Sequence, residues 1–520
     1  GTDWKNEVTA IDRMAKLTKE DIVAFANKYL KEDNYAVIYK KQGKDPNEKK
    51  MTKPEITPII TNRDVASPFL VEVQESAVKP IEPVFLDYQK DMSQLKAKSD
   101  IPVLYKQNVA NDLFQLIYVV DMGNNHDKAL GTAFDYLEYL GTSDMTPEEL
   151  KSEFYRLACT FYVSPGNERT YVVLSGLNEN MPAAVQLFEK LLADAQVNKE
   201  AYTNMTSDIL KARSDAKLNQ GQNFSRLMSF AMYGPKSPAT NLLTEAELTN
   251  MNPQELVDRI HNQNSYKHRI LYYGPSSSKD LLATINQYHQ VPAALKDIPA
   301  GNEYSYLETP VTKVLVAPYD AKQIYMAQIS NLDKKYDPAI EPIRALYDEY
   351  FGGGMNSIVF QEMRETRGLA YSAWASIMPP SYLKYPYVLR TQIATQNDKM
   401  IDAVTTFNDI INNMPESEAA FKLAKDGLTN RLRTERIIKG DIIWSYINAQ
   451  DLGQNVDPRI KLYNDIQNMS LKDIVDFQKQ WVKGRTYVYC ILGDKKDLEL
   501  DKLKAVGPIE ELTQEQIFGY

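Results

Sequence analysis

Cysteine is scarce in this sequence of 520 residues, which contains only Cys159 and Cys490. Two thiols so far apart provide neither a disulfide framework nor a cysteine-based zinc site, so the cysteines do not indicate the cellular compartment of the protein. The sequence also lacks any run of about 18 apolar residues, which argues against a membrane-spanning helix. The net charge of −9, with both signs interspersed along the chain, argues against nucleic acid as the main partner.

Histidine is also rare, and the four histidines are His126, His261, His268 and His289. None of them lies one helical turn from another, the spacing with which two imidazoles on a helix share a zinc ion. We therefore predict surface or capping positions for all four and no metal site in this chain. The sequence also lacks a G-x-S-x-G nucleophile turn and a G-x-x-x-x-G-K-S/T phosphate loop, which argues against those two kinds of active site.

The chain does contain ample material for folded domains. With 43% hydrophobic and 25% charged residues, it has the composition of a soluble globular protein, and its length predicts about two to four domains. The sequence opens with Gly-Thr-Asp-Trp and has no apolar leader. We therefore expect a piece of a longer polypeptide, from which any export signal has been lost.

One stretch carries more information than any other, and it begins with three glycines, Gly352, Gly353 and Gly354. Glycine permits conformations closed to other residues, so this triplet predicts a turn or a close approach of the backbone to another group. Residues 355–367 place apolar side chains at helical spacing, and Gly368 follows where a helix C-cap glycine belongs. The apolar positions of the helix are Met355, Ile358, Val359 and Met363. Beyond the cap an alternating pattern predicts a half-buried strand, at Leu369, Tyr371, Ala373, Ala375 and Ile377.

Arg364 and Tyr371 stand on opposite sides of that cap, seven residues apart. We predict that the turn aims both side chains at one point. A guanidinium and a phenol are hydrogen-bond donors suited to holding and polarising a peptide carbonyl. The alternative is that Arg364 is a solvated helix residue and Tyr371 a core aromatic.

A long-range repeat runs through the chain. Three segments share one pattern, in which a helix N-cap residue is followed three positions later by an acidic residue, as in a capping box; these are 17–23, 251–257 and 469–475, with Thr18, Asn252 and Ser470 at the caps. A β-rich run follows each of them, at 35–39, 269–273 and 487–491. Spacings above 200 residues indicate duplication of a whole domain.

The repeat predicts four parts: residues 1–45 are the C-terminal remnant of a preceding homologous domain, 46–90 a linker, and 91–296 and 297–520 two complete domains. The fold class predicted is α+β, with each domain an antiparallel-rich sheet that packs helices on one face. Within the first complete domain we expect a hairpin of 103–105 with 113–119, and a capping box at Thr146 with Pro147 at the first helical position. The linker should be extended, with short β pieces such as Phe69–Val71.

The glycine-rich stretch resembles a known signature. Its residues read Gly-Gly-Gly-Met-x-Ser-x-x-Phe-Gln-Glu-x-Arg-Glu-x-Arg-Gly-Leu-Ala-Tyr over 352–371, similar to the C-terminal domain of the pitrilysin (insulinase) family of zinc metallopeptidases, which includes the mitochondrial processing peptidases. The resemblance implies four homologous α+β domains, paired into two halves that close on a peptide. It also implies that Arg364 and Tyr371 reach into the active site of the other half and bind the substrate backbone, with Gly352–Gly354 beside the substrate.

The catalytic domain of that family carries an H-x-x-E-H zinc motif on a helix. In 91–296 the matching helix retains Glu138, but Asp135 and Tyr139 stand where the histidines would be. The corresponding segment of the second complete domain, 347–351, has no histidine either. We expect no cofactor in this chain, and the resemblance implies zinc on a missing N-terminal half.

The function implied is that of the C-terminal half of a zinc metalloendopeptidase, which binds the backbone of peptides or unfolded polypeptides in a closed chamber. By itself the chain would be inactive, and its partners would be the N-terminal half and the peptide substrate. The alternative is an inert family member that acts as a binding or scaffold partner of an active subunit. The compartment stays unassigned, although the bacterial periplasm or envelope would suit an exported peptidase of this type.

Overall fold

The computed structural model describes residues 3–40, 43, 67–77, 79–321 and 323–520. The chain forms two compact units, 1–79 and 80–520, which we describe separately. Residues 44–66, which make up much of the predicted linker, lie outside the described residues.

The first unit contains four helices in its described part: α1 (Trp4–Val8), α2 (Ala10–Met14), α3 (Lys19–Tyr29) and α4 (Pro68–Glu75). A capping box starts α3 as predicted, because the Thr18 hydroxyl accepts from the Asp21 backbone N–H at 3.2 Å and the Asp21 carboxylate accepts from the Thr18 N–H at 2.9 Å. Two β predictions are wrong here. Residues 35–39 form no strand, since a strand needs a hydrogen-bonded neighbour, and Phe69–Val71 lies within α4.

The second unit contains two six-stranded sheets. Sheet 1 consists of β1 (Ser93–Lys96), β2 (Pro102–Gln107), β3 (Leu113–Val120), β4 (Cys159–Pro165), β5 (Thr170–Leu177) and β6 (His268–Gly274), in the spatial order β1-β2-β6-β3-β5-β4. The strand β6 pairs parallel to β2 and antiparallel to β3. The predicted hairpin is therefore wrong, because the last strand of the sheet inserts between the two strands expected to pair.

The helices that accompany sheet 1 are α5 (Tyr88–Asp91), α6 (Leu130–Leu137), α7 (Pro147–Arg156), α8 (Met181–Asp194), α9 (Lys199–Lys217), α10 (Gln220–Tyr233), α11 (Glu245–Asn250), α12 (Gln254–Asn262) and α13 (Ser278–Tyr288). Thr146 and Glu149 form the predicted capping box at the start of α7. At α12 the prediction is wrong, because the helix begins after Pro253 and the Asn252 side chain accepts from the Gln254 N–H at 3.1 Å instead.

Sheet 2 consists of β7 (Lys313–Pro318), β8 (Gln323–Lys335), β9 (Ser372–Met378), β10 (Pro386–Gln396), β11 (Val488–Gly493) and β12 (Ile509–Glu511), in the order β12-β7-β11-β8-β10-β9. Its helices are α14 (Glu341–Phe351), α15 (Ile358–Phe360), α16 (Met400–Asn412), α17 (Glu418–Thr434), α18 (Asp441–Asp451), α19 (Pro458–Ile466), α20 (Leu471–Trp481), α21 (Leu500–Leu503) and α22 (Gln514–Phe518), with a π-helix over Gln361–Thr366. The predicted capping box of Ser470 with Asp473 starts α20.

The two sheets share one topology. The strands β2-β6-β3-β5-β4 of sheet 1 correspond one by one to β7-β11-β8-β10-β9 of sheet 2. Each set contains one parallel pair, β2 with β6 and β7 with β11. The sheets differ at the remaining edge, where β1 runs antiparallel to β2 while β12 runs parallel to β7. The predicted α+β class, with antiparallel-rich sheets and packed helices, is confirmed.

The two parts of the chain exchange helices: α10, which lies among the residues of sheet 1, covers part of sheet 2, and α18, which lies among the residues of sheet 2, covers part of sheet 1. The sequence pattern did not predict this arrangement. The helix α10 buries Phe224 and Leu227 against sheet 2, and α18 buries Ile442 and Ile447 against sheet 1. A partly buried ion pair supports the second contact: the Arg169 guanidinium binds both carboxylate oxygens of Asp451, each at 2.6 Å.

Every helix among the described residues is too short or too polar to span a bilayer.

Candidate functional site

The three glycines after α14 do not share one role. A Cβ on Gly352 would lie 2.2 Å from the Ala375 carbonyl oxygen on β9, and one on Gly353 would lie 2.8 Å from the Asp348 carbonyl oxygen. These two glycines therefore let the turn approach the sheet and the end of its own helix. A Cβ on Gly354 would meet only the Glu349 side chain, at 4.0 Å, so this third position is open.

The segment after the glycines is helical over a shorter range than the spacing predicts. Ser357 is the N-cap, so the helix begins at Ile358 and then widens into the π-helix over Gln361–Thr366. Ile358 and Met363 are buried as predicted, whereas Met355 lies before the cap and is 73% exposed. Single-turn π segments occur often at functional sites.

Gly368 ends this helix in the left-handed conformation, with φ of +57°. Its N–H donates to the Arg364 carbonyl at 3.1 Å, which is the αL cap that the sequence predicts. The strand β9 begins at Ser372, and Ala373 and Ile377 are buried on its inner face. Tyr371 departs from the predicted alternation, because it precedes the strand and its side chain is 72% exposed.

The structure brings Arg364 and Tyr371 together at the surface. The Arg364 guanidinium carbon lies 5.1 Å from the centre of the Tyr371 ring and 5.0 Å from that of Phe360. Its one carboxylate neighbour among the described residues is Glu365, at 3.7 Å. An exposed, stacked guanidinium keeps its N–H groups available to an outside acceptor. Interpreting Tyr371 as a core aromatic is therefore wrong.

A carboxylate on α14 that is only 16% exposed, Asp348, binds the strand that follows Tyr371. Asp348 accepts hydrogen bonds from the Ile377 N–H at 2.9 Å, the Ser376 hydroxyl at 2.9 Å and the Arg344 guanidinium at 2.8 Å. Burial raises the pKa of Asp348 to about 6, although the cationic Arg344 opposes the increase. Asp348 thus connects the helix before the glycines to the strand after Tyr371.

The residues in place of the zinc motif do not fit a zinc ion. Asp135, Glu138 and Tyr139 are exposed along the end of α6, and they offer two carboxylates and a phenol where two imidazoles would be required. In the corresponding helix α14, Asp348 is occupied by its hydrogen bonds and Glu349 pairs with Arg431 at 3.0 Å. Among the described residues no group of three or more histidine, cysteine, aspartate or glutamate side chains is arranged to hold a metal ion.

The structure contains a buried pair of histidines that the sequence did not predict. His289 is fully buried, with its Nε2 at 2.8 Å from His268 Nε2 and its Nδ1 at 2.6 Å from the Glu189 carboxylate. Burial, followed by the neighbouring His289, lowers the pKa of His268 to about 4. The surface or capping prediction is therefore wrong for both residues, and no local pattern pairs them. It holds for His126, whose Nδ1 accepts from the Gly123 N–H in a turn.

Part of the chain matches a known protein family, and the chain is similar to two curated proteins. Residues 270–428 match the family model described as the peptidase M16 inactive domain. Among curated proteins, the chain is 23% identical over 422 residues to the non-peptidase homolog YmxG of Helicobacter pylori, covering 77% of this chain and 93% of that one. It is 20% identical over 263 residues to an uncharacterized zinc protease of Rickettsia felis, covering 48% of this chain and 60% of that one.

Solved structures with the same fold include the peptidase M16 inactive domain from Pseudomonas fluorescens, with a TM-score of 0.61 at 15% identity over 78% of this chain and 98% of that one. The periplasmic protease PqqL from Escherichia coli has a TM-score of 0.62 at 13% identity, over 94% of this chain and 52% of that one. The ferredoxin protease FusC, in complex with Arabidopsis ferredoxin, has a TM-score of 0.59 at 12% identity, over 92% and 51%. The chain thus spans about half the length of these two proteases.

Proposed function

From the presence of an inactive domain of the peptidase M16 (pitrilysin) family in this chain, we propose that the chain is the C-terminal half of a zinc metalloendopeptidase. This half binds the backbone of a peptide or unfolded polypeptide in a chamber that the N-terminal half closes. The chain by itself hydrolyses nothing, because the zinc ion, which would activate water, belongs to the N-terminal half.

The observation that carries this proposal is the exposed contact between Arg364 and Tyr371. The guanidinium is 5.1 Å from the phenol ring, and the two side chains offer an N–H and an O–H donor from one place on the surface. Donors placed in advance stabilise the negative charge that develops on a peptide carbonyl oxygen during hydrolysis. A guanidinium held by stacking also loses less conformational entropy when it binds a carbonyl.

The division of the chain supports a preceding homologous domain. In α12 and α20 the apolar side chains are buried, and the strands that follow them, β6 and β11, lie inside their sheets. In the corresponding segment of the first unit, Ile22 is 58% exposed and Ile38 is 90% exposed. We attribute these exposed side chains to a remnant, 1–45, whose domain lies upstream, followed by a linker, 46–90, and two complete domains, 91–296 and 297–520.

Reconstitution with the N-terminal half tests the proposal. The purified chain should not cleave a fluorogenic peptide library with or without zinc, and activity should appear when the upstream half is added. Zinc-dependent turnover by the chain alone would overturn the assignment.

In the reconstituted enzyme, Arg364→Ala and Tyr371→Phe should each lower kcat by roughly 10²-fold or more, the loss expected for a transition-state donor. Arg156→Ala and Tyr155→Phe are matched controls, since both side chains are exposed on α7, and they should leave the rate unchanged. Wild-type rates in the Arg364 and Tyr371 variants would show that the pair does not act on substrate.

A second candidate function is that of an inert partner subunit. It is favoured by the match to a relative named a non-peptidase homolog over 93% of that relative's length. In this case the chain would bind an active peptidase subunit tightly, and substitution of Arg364 or Tyr371 would leave the activity of the complex intact. For either candidate we propose a bacterial periplasmic or envelope location, as for the periplasmic protease PqqL.

A further inference from the structure

A cleft of about 560 Å³ lies between helix α10 and sheet 2. Among the described residues, its walls carry two arginines, Arg226 on the helix and Arg390 on β10, and no aspartate or glutamate. Most of the other lining side chains on the helix are polar or small: Asn219, Gly221, Gln222, Ser225 and Ser229. The cleft therefore combines two positive charges with hydroxyl and amide donors.

Arg390 is the unusual member of this set. Its guanidinium stacks 5.2 Å from the centre of the Trp374 ring, and one Nη donates to the Gln392 side chain at 3.0 Å. Its Nε is buried without a hydrogen-bond partner, and among the described residues no carboxylate lies within ion-pair distance. Burial lowers the pKa of this guanidinium, as expected for a cation that lacks an anionic neighbour.

Two other partly buried arginines, Arg169 and Arg344, do have carboxylate partners. Arg169 binds Asp451 at 2.6 Å, and Arg344 binds Asp348 at 2.8 Å. A guanidinium removed from water without a counter-charge destabilises a fold. Arg390 has no such partner among the described residues, so we look for the partner in the cleft that it lines.

Arg226 contributes the second cationic wall. One Nη donates to the Ala239 carbonyl, and the guanidinium lies 5.7 Å from the centre of the Phe518 ring. These contacts fix the plane of the guanidinium and leave its other N–H groups without an acceptor among the described residues. Two planar guanidinium groups on opposite walls suit bidentate binding of an oxyanion.

We propose that this cleft is a binding site for an oxyanion, either the carboxylate of an acidic peptide or a phosphate group. The site would supply the counter-charge that Arg390 lacks. The cleft is connected to the Arg364–Tyr371 pair through Trp374, because Arg390 stacks on this residue of β9, the strand that begins directly after Tyr371. Binding at the cleft does not depend on the proposed peptidase function, because it involves other side chains and no reaction.

Calorimetric titration of the purified chain at low salt tests the proposal with three probes: an acetylated, amidated triglutamate peptide, its triglutamine counterpart and inorganic pyrophosphate. We expect saturable binding of the glutamate peptide or of pyrophosphate, and none of the glutamine peptide. Binding of the glutamate peptide alone would identify a carboxylate site, and binding of pyrophosphate alone a phosphate site. Lack of saturable binding of both anions would overturn the proposal.

Substitutions locate the binding. Arg390→Gln and Arg226→Gln should each weaken the affinity by roughly 10-fold or more, as for loss of a charged hydrogen-bond pair, and Arg156→Gln on the surface should not change it. Fluorescence of Trp374 should report the same titration and lose the signal in Trp374→Phe. Wild-type affinity in both cleft variants would overturn the proposal, and if Arg390→Gln fails to fold, the half-buried Arg226 decides the outcome.

Discussion

Replacing Asp348 with asparagine should reveal the electrostatic cost of the carboxylate that holds β9. The burial that raises the pKa of Asp348 from 3.8 to about 6 means that the folded protein prefers the protonated acid. Stability from this group is therefore complete below about pH 4 and is lost as the pH rises through about 6. At about 1.4 kcal/mol per pH unit, the ionised carboxylate makes the fold less stable by about 3 kcal/mol at neutral pH than in acid.

Asp348→Asn removes this titration while keeping an oxygen for the Ile377 N–H. Near pH 7 the variant should lose only about 1–2 kcal/mol, mainly from its altered contacts with Ser376 and Arg344, because Arg344 keeps Glu341 as an ion partner at 2.9 Å. Near pH 4 the wild type gains stability that the variant cannot gain. The difference in unfolding free energy should then be larger by about 3 kcal/mol.

Urea unfolding of both proteins at the two pH values, followed by circular dichroism, measures this difference. Asp426→Asn is a suitable control, because that aspartate is exposed and its ion partner among the described residues is Lys422 on the same helix. Its difference from the wild type should change by only a few tenths of a kcal/mol between the two pH values. A difference for Asp348→Asn that stays constant or shrinks in acid would show that the Arg344 ion pair outweighs burial.

Three further predictions concern stability. Gly352→Ala should lower the unfolding free energy by about 1–3 kcal/mol, since its Cβ would overlap the backbone of β9. Gly354→Ala should change the unfolding free energy by less than about 0.5 kcal/mol. Equal effects of the two substitutions in urea titrations would contradict the different surroundings of the two glycines. Phe518→Ala, which empties a fully buried position beside α10, should cost about 3–5 kcal/mol, and a loss below about 1 kcal/mol would show that α22 contributes little to the core. The low pKa of His268, about 4, means that the neutral ring stabilises the fold above about pH 6.5 and that this stability is lost as the pH falls toward 4. The difference in unfolding free energy between wild type and His268→Gln should therefore shrink over that pH range. An unchanged difference would refute this prediction.

Much of the local structure follows from the sequence alone. The capping boxes at Thr18, Thr146 and Ser470 form as their spacing predicts, and Gly368 takes the left-handed conformation at the end of its helix. These features depend on hydrogen bonds between residues a few positions apart, which a short stretch of sequence specifies completely. Asn252 is the exception, because Pro253 occupies the cap position in the folded chain.

The candidate site was predicted in part. The motif identifies Arg364 and Tyr371, but the alternating pattern places Tyr371 on the buried face, whereas the tyrosine precedes the strand and points outward. Alternation describes a side chain only within a paired strand, and pairing of β9 with β10 begins at Ser372. The cleft at Arg390 lay beyond sequence reasoning, because its two walls come from elements more than 150 residues apart.

The sequence by itself determined the helix ends at Thr18, Thr146, Ser470 and Gly368, the segments that are apolar enough to form the cores, and the family signature. All of these depend on composition and short-range patterns. Only the tertiary structure decided that β6 and β11 insert between earlier strands. It also decided that α10 packs on sheet 2 and α18 on sheet 1, and that His268 contacts His289 in the core. These arrangements join residues that are distant along the chain. Their stability comes from complementary surfaces that form only when both elements are already in place, so no local pattern encodes them.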